Sequence, residues 1–359
     1  MSSLTIGAAD MEELARGAAI LGSGGGGDPY IGALLARQAL LQHGPVSIVG
    51  LPELDDDDVL VAVAMMGAPT VMIEKLPGLA EIVAPIEALA AGSEHPVTHV
   101  VSAEAGGINS TIPVAAAAAL GLPLVDADGM GRAFPELQMV LPTLYGITAS
   151  PLAIADEKGN TVVLRTIDNV WTERIARVVA IEMGTSVMIS GFRMTGRQAK
   201  ECLVGGSLTL CRELGRTIRV AREEKRDPVA AAAERLGARQ IHEGKIIDVE
   251  RKTASGFARG RAQIAGADST MEIAFQNEYL VASSGGVVLA TTPDLIIVFE
   301  HETGEPITTE GLRYGQRVRV LAAPADPRWH TEGGLALVGP RYFGYDIDPV
   351  RVRLPAEEA

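Results

Sequence analysis

The sequence predicts a chain with two parts, a three-layer α/β/α domain followed by a mostly β domain of the barrel or sandwich type. Up to about residue 238, short apolar and β-branched runs alternate with segments of helical spacing, which is typical of a layered α/β domain. Beyond that point only short alternating runs remain, separated by glycine, Asp-Pro or Thr-Gly. We therefore place the α/β domain at residues 1–238 and the β domain at residues 239–334.

Composition and charge narrow the class of protein. The 359 residues are 47% hydrophobic and 21% charged, which is ordinary globular chemistry and enough chain for two cores. The 45 acidic side chains outnumber the 31 basic ones, and no basic run offsets the net charge of −14, so no nucleic-acid partner is expected. No signal peptide is visible, and no apolar run reaches the roughly 18 residues of a membrane span. We expect a cytoplasmic homo-oligomer without membrane partners.

The first domain begins with a helix on each side of a glycine run. Residues 10–21 have helical spacing, and Asp28 followed by Pro29 starts a second helix, with the aspartate as N-cap and the proline at the first helical position. The predicted strands cover residues 46–50, 58–67, 98–107 and 122–129, with two more in ITASPLAIAD and TVVLRTI. The predicted helices cover about 78–92, 110–121, 168–183, 197–225 and 228–237. The apolar strands indicate a parallel sheet that is buried on both faces.

The two cysteines, Cys202 and Cys211, both fall on the predicted helix 197–225. Nine residues of helix separate them by about 13 Å at roughly 1.5 Å per residue, which is too far for a disulfide. We expect two buried free thiols.

The β domain is predicted to contain about six strands, and residues 335–359 to form an ordered tail that packs back on the first domain. Apolar strands carry Asn277 and Glu278 in FQNEYL, and Asp294 in TTPDLI. Because a buried carboxylate needs a partner, we expect these carboxylates to form structural ion pairs with arginines. The candidate partners are Arg251, Arg259 and Arg341.

The glycine run GSGGGGDP formally matches the dinucleotide fingerprint G-x-G-x-x-G, but its surroundings do not. A helical segment precedes it where the fingerprint needs a strand, and no acid lies about 20 residues further on. No lysine precedes Lys75, so it is not a P-loop either, and we expect no nucleotide cofactor. Two interpretations remain open, a tight interhelical turn and a close approach of backbone N–H groups to a small ligand. The candidate ligand-binding residues are Gly24, Gly25, Gly26, Gly27 and Asp28.

Three further stretches combine a strand end with polar residues and a glycine or a helix start. SAEAGGINS contains Glu104, Gly106, Gly107 and Asn109; VDADGMGRAFPELQM contains Asp126, Asp128, Arg132 and Glu136; MMGAPTVMIEK contains Met66, Gly67, Pro69 and Glu74. In open α/β sheets ligands bind outside the carboxyl ends of the strands, so we expect these stretches and the glycine run to border one crevice. The simpler alternative is that Asp126 and Asp128 are helix caps and that Glu104 is a solvated turn residue.

Two chemistries fit this set of residues. One of Asp126, Asp128 and Glu104 would act as a general base towards water, while Arg132 holds an anionic or carbonyl group of a small-molecule substrate. Alternatively, the carboxylates and a histidine such as His99 would hold a divalent metal. The sequence has no strong zinc motif and no G-x-S-x-G nucleophile elbow, so whether a metal binds stays open.

Taken in order, seven motifs resemble a bacterial and archaeal family that is associated with hydantoinase/oxoprolinase proteins and described as S-methyl-thiohydantoin-processing domains. They are LGSGGGGDP, EAGGINS, DADGMGRAFPELQM, GKIIDVERKTASGFARG, QNEYL, PDLI and GPRYFGYD. The resemblance covers nearly the whole chain and implies a three-layer α/β domain joined to a mostly β domain. It also implies an alternative domain boundary near residue 166, which differs from the change of pattern near residue 238.

The resemblance implies a ligand that is a hydantoin-like or S-methyl-thiohydantoin-like five-membered ring. One hypothesis is a hydrolase that cleaves a C–N or C–S bond, with glycine-loop and Gly106–Gly107 amides binding the ring oxygen and Arg132 a substrate carboxylate. The other is a non-catalytic binding or regulatory partner of an ATP-dependent hydantoinase/oxoprolinase.

Overall fold

A computed structural model describes residues 4–67, 75, 78–254 and 257–352. Its helices are α1 (Met11–Leu21), α2 (Pro29–His43), α3 (Leu79–Ala91), α4 (Ile112–Leu120), α5 (Leu141–Leu144), α6 (Asn169–Glu182), α7 (Gly196–Cys202), α8 (Ser207–Glu223), α9 (Pro228–Leu236) and α10 (Glu332–Val338). Short 3-10 helices cover Ala8–Asp10, Leu51–Glu53, Pro327–His330 and Pro340–Phe343. Within the described ranges, no helix is both long and apolar enough to cross a membrane.

The first sheet mixes parallel and antiparallel pairs. Its strands are β1 (Leu4–Ile6), β2 (Val46–Val49), β3 (Val59–Gly67), β4 (His99–Ser102), β5 (Leu124–Asp128), β6 (Leu152–Ala155), β7 (Thr161–Leu164), β8 (Ser186–Thr195) and β9 (Val204–Gly205). They lie in the order β1-β2-β5-β4-β3-β8-β6-β7, with β9 paired to β5. The four central strands β2, β5, β4 and β3 are parallel, as their apolar runs predict, and the outer pairings are antiparallel.

Both faces of this sheet are covered, so the predicted three layers are present. Alternate residues of β3 enter two different apolar clusters because successive side chains of a strand point to opposite faces. Val61, Val63 and Met65 pack in a cluster with α1, α2, α4 and α8, whereas Leu60, Ala62 and Ala64 pack in a second cluster with α6 and α7. The predicted α/β plus β architecture is confirmed.

The predicted helix 197–225 is wrong, because it is two helices separated by β9. α7 ends at Cys202, and Gly206 then takes a left-handed φ of +78° before α8 begins. This turn lets Val204 and Gly205 pair with the end of β5. Cys202 and Cys211 are therefore on different helices, and both are buried free thiols.

The β domain is one antiparallel sheet that curls into a half-barrel. Its strands are β10 (Arg239–Ala254), β11 (Phe257–Ala265), β12 (Thr270–Gln276), β13 (Glu278–Ser284), β14 (Val287–Thr291), β15 (Leu295–Glu300) and β16 (Arg317–Ala323), one more than the sequence predicts. They lie in the order β14-β13-β12-β11-β10-β16-β15. Along β15, Ile296 and Val298 face the core of the half-barrel, whereas Leu295, Ile297 and Phe299 join the α/β cluster that contains α1 and α8. The two domains thus share an apolar core.

The chain after β16 contacts both domains. Trp329 is fully buried, and its Nε1 donates to the carbonyl of Met130 at 2.8 Å. Val338 packs in the cluster of the α/β domain that contains α6, and Val352 packs in the half-barrel core. Residues 353–359 of the predicted tail lie outside the described residues.

Candidate functional site

A cavity of about 90 Å³ lies beside the carboxyl ends of β3 and β4, where the α/β domain meets the start of β13. Its polar lining combines the glycine loop with side chains from both domains, whereas Met65, Met66 and Phe192 supply apolar walls. This volume has room for a few waters or one small heterocycle. A small ligand would therefore be enclosed by apolar walls with a few polar groups aimed at it, as is usual in binding pockets.

The loop Gly24–Gly27 connects α1 to α2 and packs against both domains. Gly24, Gly26 and Gly27 have φ of +92°, +76° and +82°, in the region that favours glycine. A Cβ on Gly26 would overlap the Cα of Gly106, and a Cβ on Gly25 would overlap the carboxyl of Glu278. The glycines are therefore required for close approach to the Gly106–Gly107 turn on one side and to the β domain on the other.

The N–H groups of this loop are only partly used within the protein. Gly25 donates to the carbonyl of Gly22 at 2.9 Å, and the carbonyl of Gly26 accepts from Ile108 at 2.7 Å. Among the described residues, the N–H groups of Gly26 and Gly27 donate no hydrogen bond, and both residues line the cavity. Asp28 instead serves as the predicted N-cap of α2, since its Oδ1 accepts from the N–H of Tyr30 at 2.8 Å.

Glu104 lies in the turn after β4, lines the cavity and is 7% exposed. Its Oε1 accepts from Nδ2 of Asn109 at 2.5 Å, and its Oε2 accepts from the N–H of Phe134 at 3.3 Å. Asn109 is itself held by the backbone of β3, because its Oδ1 accepts from the N–H of Met65 at 2.8 Å. Burial raises the pKa of Glu104 to about 7, against the lowering effect of these hydrogen bonds.

Glu278 reaches the same cavity from the first residue of β13. It is 3% exposed, and its Oε2 has no hydrogen-bond partner among the described residues. Burial and the nearby charge of Glu104 raise the pKa of Glu278 well above its usual range. The sequence led us to expect an ion pair with Arg251, Arg259 or Arg341, but Arg251 donates to the carbonyls of Thr309 and Leu312. The cation that acts most on the pKa of Glu278 is Arg132, which lowers it.

Arg132 is fully buried and points at backbone carbonyls rather than into the cavity. Its Nη1 donates to the carbonyls of Pro293 at 2.9 Å and Asp294 at 2.7 Å, and its Nη2 to the carbonyl of Tyr279 at 3.3 Å. Burial lowers the pKa of Arg132 to about 10, while the charge of Glu278 opposes this change. The guanidinium therefore joins the two domains and balances the buried carboxyl groups.

Asp126 and Asp128 lie two residues apart on β5, and neither lines the cavity. Oδ1 of Asp126 accepts from the N–H of Leu208 at 2.9 Å and of Thr209 at 3.0 Å, so this carboxylate caps α8. Oδ2 of Asp128 accepts from the N–H of Met130 and Gly131 at 2.8 and 2.7 Å, and burial raises the pKa of Asp128 to about 6. Asp126 therefore caps a helix, as the simpler alternative expected, whereas Asp128 binds the N–H groups of a turn and its Oδ1 has no hydrogen-bond partner among the described residues.

Glu136 lines the cavity together with Arg177 of α6. Oε2 of Glu136 accepts from the hydroxyl of Tyr342 at 2.7 Å, and Nε of Arg177 donates to Glu173 at 2.6 Å.

The remaining predicted crevice residues, Pro69 and Glu74, lie outside the described residues. His99 begins β4, whereas Glu104 follows the end of that strand. The described part of the chain contains no group of three or more His, Cys, Asp or Glu side chains placed to hold a metal ion.

Sequence reasoning missed Phe192, Arg177 and the cavity position of Glu278. Phe192 has a left-handed φ of +47°, and the register of β3 and β8 shifts beside it, so two residues of β8 face Val61. Such bulges aim side chains at functional sites, but nothing in the local pattern SVMISGF marks one. For Glu278 a signal existed, since a carboxylate in an apolar strand is costly unless it has a partner or a function.

The fold and the site together define a two-domain α/β plus β protein with a small cavity and two buried carboxyl groups at the junction. Models of the N-terminal and C-terminal domains of the S-Me-THD-like family match residues 9–166 and 167–352. The chain belongs to this S-Me-THD-like family, which confirms the resemblance; the association with hydantoinase/oxoprolinase proteins stays a prediction. The two models meet at residue 166, and β8 and β9 of the first sheet fall within the C-terminal model.

The fold is also that of a solved structure. A protein from Chromobacterium violaceum matches with a TM-score of 0.84 and 24% identity, and the match covers 98% of this chain and 100% of that one. At this identity the likeness shows the fold alone. A comparison with curated proteins found no match.

Proposed function

We propose that this protein is a hydrolase that adds water to a ring carbon of a small five-membered cyclic amide or amidine of the thiohydantoin class. The observation that carries the proposal is that one cavity is lined by Glu104 and by the backbone of Gly26 and Gly27. A buried carboxylate beside unpaired N–H groups is the arrangement that hydrolysis of an acyl-like carbon needs. Membership of the S-Me-THD-like family supports the choice of ring.

In this proposal Glu104 is the general base that takes a proton from water. A general base works best when its pKa is near the operating pH, and burial holds the pKa of Glu104 at about 7. The N–H groups of Gly26 and Gly27 donate to the oxygen that gains charge on the ring, while the apolar walls exclude bulk water. We therefore expect kcat/KM to rise with pH through about 7, as Glu104 loses its proton.

The test is turnover of a panel of S-methyl-thiohydantoins and hydantoins by the purified protein, with and without added Zn²⁺ or Mn²⁺. Released thiol and opened ring are measured separately. We expect turnover by the wild type and a loss of about 100-fold or more in the variant Glu104→Gln. Glu81→Gln is the matched control, since Glu81 is also buried with a pKa raised to about 7 but lies outside the cavity.

Two results would overturn the proposal. One is the absence of turnover under every condition of the panel; ligand-induced thermal stabilisation without product would then favour the non-catalytic partner of a hydantoinase/oxoprolinase. The other is equal activity of Glu104→Gln and Glu81→Gln. An adjoining hydrolase partner and a homo-oligomeric state are further proposals, which co-purification and light scattering test.

A further inference from the structure

Glu104 and Glu278 face one cavity from different domains, but their hydrogen bonding differs. Both oxygens of Glu104 accept hydrogen bonds, from Asn109 and from the N–H of Phe134, which favours an ionised carboxylate. Oε2 of Glu278 has no partner among the described residues although the side chain is nearly fully buried. A protonated carboxyl that donates into the cavity would satisfy this oxygen, because its O–H would bond to whatever the cavity holds.

The backbone around Glu278 holds its carboxyl in place. Asn277 has a left-handed φ of +57°. Its N–H donates to the carbonyl of Ala258, and its Oδ1 accepts from the N–H of Ala258. On the other side, Gly25 leaves the space in which the carboxyl lies. A strained residue next to a cavity-facing carboxyl is a common feature of functional sites.

Glu104, Glu136 and Arg177 line the cavity with Glu278, and the charges that act most strongly on Glu278 are those of Glu104, Arg132 and Glu310. Glu104 and Glu310 oppose the ionisation of Glu278, Arg132 favours it but also acts on Glu104, and Arg177 is bonded to Glu173. Since like charges in a buried site cannot all ionise, one proton stays in the Glu104–Glu278 pair. The hydrogen bonds from Asn109 and Phe134 favour the negative charge on Glu104, and the unpartnered Oε2 favours the proton on Glu278.

We propose that Glu278 is the general acid of the reaction and delivers its proton to the leaving sulfur or nitrogen of the ring substrate. The inference rests on the proposed function. For an S-methyl-thiohydantoin, water gives one proton to Glu104 and its oxygen bonds to the ring carbon. The C–S bond then breaks, its electron pair leaves on sulfur, and sulfur takes the proton of Glu278, so that methanethiol departs.

Two further proton transfers complete the reaction and restore the protein. The second proton of the water moves to the ring nitrogen, which leaves a cyclic amide. The proton on Glu104 returns to Glu278 and restores the starting state. Neither an oxidant nor a further reactant is needed.

The test compares two small leaving groups of different acidity in wild type, Glu278→Gln and Glu104→Gln. A methylthio group needs a proton to leave, whereas a trifluoroethylthio group leaves as a stabler thiolate. We expect Glu278→Gln to lower kcat by about 100-fold for the methylthio substrate and by less than about 5-fold for the trifluoroethylthio substrate, with little change in KM. Glu104→Gln should lower kcat for both substrates alike.

Equal losses for both leaving groups in Glu278→Gln would overturn the assignment, as would full activity of that variant. No turnover of either substrate by the wild type would instead overturn the proposed function, so the two failures are distinguishable. The variant Gly25→Ala is a second probe, because its methyl group displaces the Glu278 carboxyl while φ at residue 25 stays outside the left-handed region. We expect it to show the same dependence on the leaving group.

A measurement without substrate checks the protonation state directly. At about pH 8.5, above the pKa of about 7 of Glu104 and Glu81, we expect an infrared C=O band of a protonated carboxyl in the wild type. The band should be absent from Glu278→Gln and present in Glu81→Gln and Glu310→Gln. A band that survives in Glu278→Gln would overturn the inference.

Discussion

At the scale of single residues, four carboxyl groups near the domain junction have different roles because their partners differ. Asp126 accepts from the N–H groups at the start of α8, and Asp128 from the turn that follows β5. Glu104 and Glu278 have few backbone donors and face the cavity. Burial without many donors raises a carboxyl pKa, which turns an ordinary side chain into a candidate acid or base.

The raised pKa of Glu104 has a consequence for stability. The folded state holds this proton up to about pH 7, whereas an unfolded glutamate releases it near its ordinary pKa of 4.5. The stability that the proton contributes is complete below pH 4.5 and is lost as the pH rises through about 7. Relative to Glu104→Gln, we expect the free energy of unfolding of the wild type to fall by up to about 1.4 kcal/mol per pH unit in this window.

Urea denaturation of both proteins between these pH values measures the difference. Glu12→Gln, at an exposed site in an i,i+4 pair with Arg16, serves as the control and should follow the wild-type curve. Parallel curves for wild type and Glu104→Gln would show that the carboxyl titrates normally.

At the scale of elements, the helix that precedes the glycine loop, α1, crosses α8 closely. Gly17 and Gly215 lie where the two helices meet, and a Cβ on Gly17 would overlap the carbonyl of Cys211. Two glycines allow the helix backbones to touch, and the loop Gly24–Gly27 follows the end of the first of these helices. The same crossing holds α8, whose N-terminus Asp126 caps.

We expect Gly17→Ala to lower the free energy of unfolding by about 1–3 kcal/mol, because the added methyl group meets backbone that cannot rotate away. Gly92→Ala is the control, since the nearest atom to the Cβ position of Gly92 is the carbonyl oxygen of Leu89 at 3.9 Å and its φ is an ordinary −97°. It should change stability by less than about 0.5 kcal/mol. Thermal and urea unfolding measure both variants, and equal stabilities would contradict a tight crossing.

At the scale of the whole molecule, the two domains form one unit around the cavity. β15 supplies side chains to the core of the half-barrel and to the apolar cluster of the α/β domain. Arg132 adds a polar connection, because it extends from the α/β domain to three carbonyls of the β domain. Since Glu104 and Glu278 come from different domains, the site exists only when the two domains are joined.

We expect Arg132→Met to lower the free energy of unfolding by about 3–5 kcal/mol, because it leaves buried carboxyl groups without their counter-charge and carbonyls without a donor. Arg197→Met is the control, since Arg197 is 70% exposed in a surface pair with Asp56 and should contribute less than about 1 kcal/mol. Urea unfolding followed by circular dichroism measures both. A stability of Arg132→Met equal to that of the control would contradict the role of Arg132 as a connection.

The sequence predicts many of the residues of the site from their motifs, but it does not predict where their side chains point or what they bind. Four residues that follow strand or helix ends were predicted to border one crevice, and they do line one cavity: Glu104, Asn109, Gly26 and Gly27. Arg132 was expected to bind the substrate, but its guanidinium donates to carbonyls that lie about 150 residues further along the chain. No local pattern contains that information, because the partners are backbone groups that any sequence has.

The sequence by itself determined the fold class, the parallel centre of the first sheet, the N-cap of α2 and the family, because these depend on local periodicity, capping residues and motif order. The tertiary structure alone decided which carboxyl groups face the cavity and which cap backbone N–H groups. It also brought Glu278 beside Glu104 and Gly25, from positions far apart in the chain. The physical reason is that the pKa and the partners of a carboxyl group depend on burial and on long-range neighbours, which exist only once the two domains have packed together.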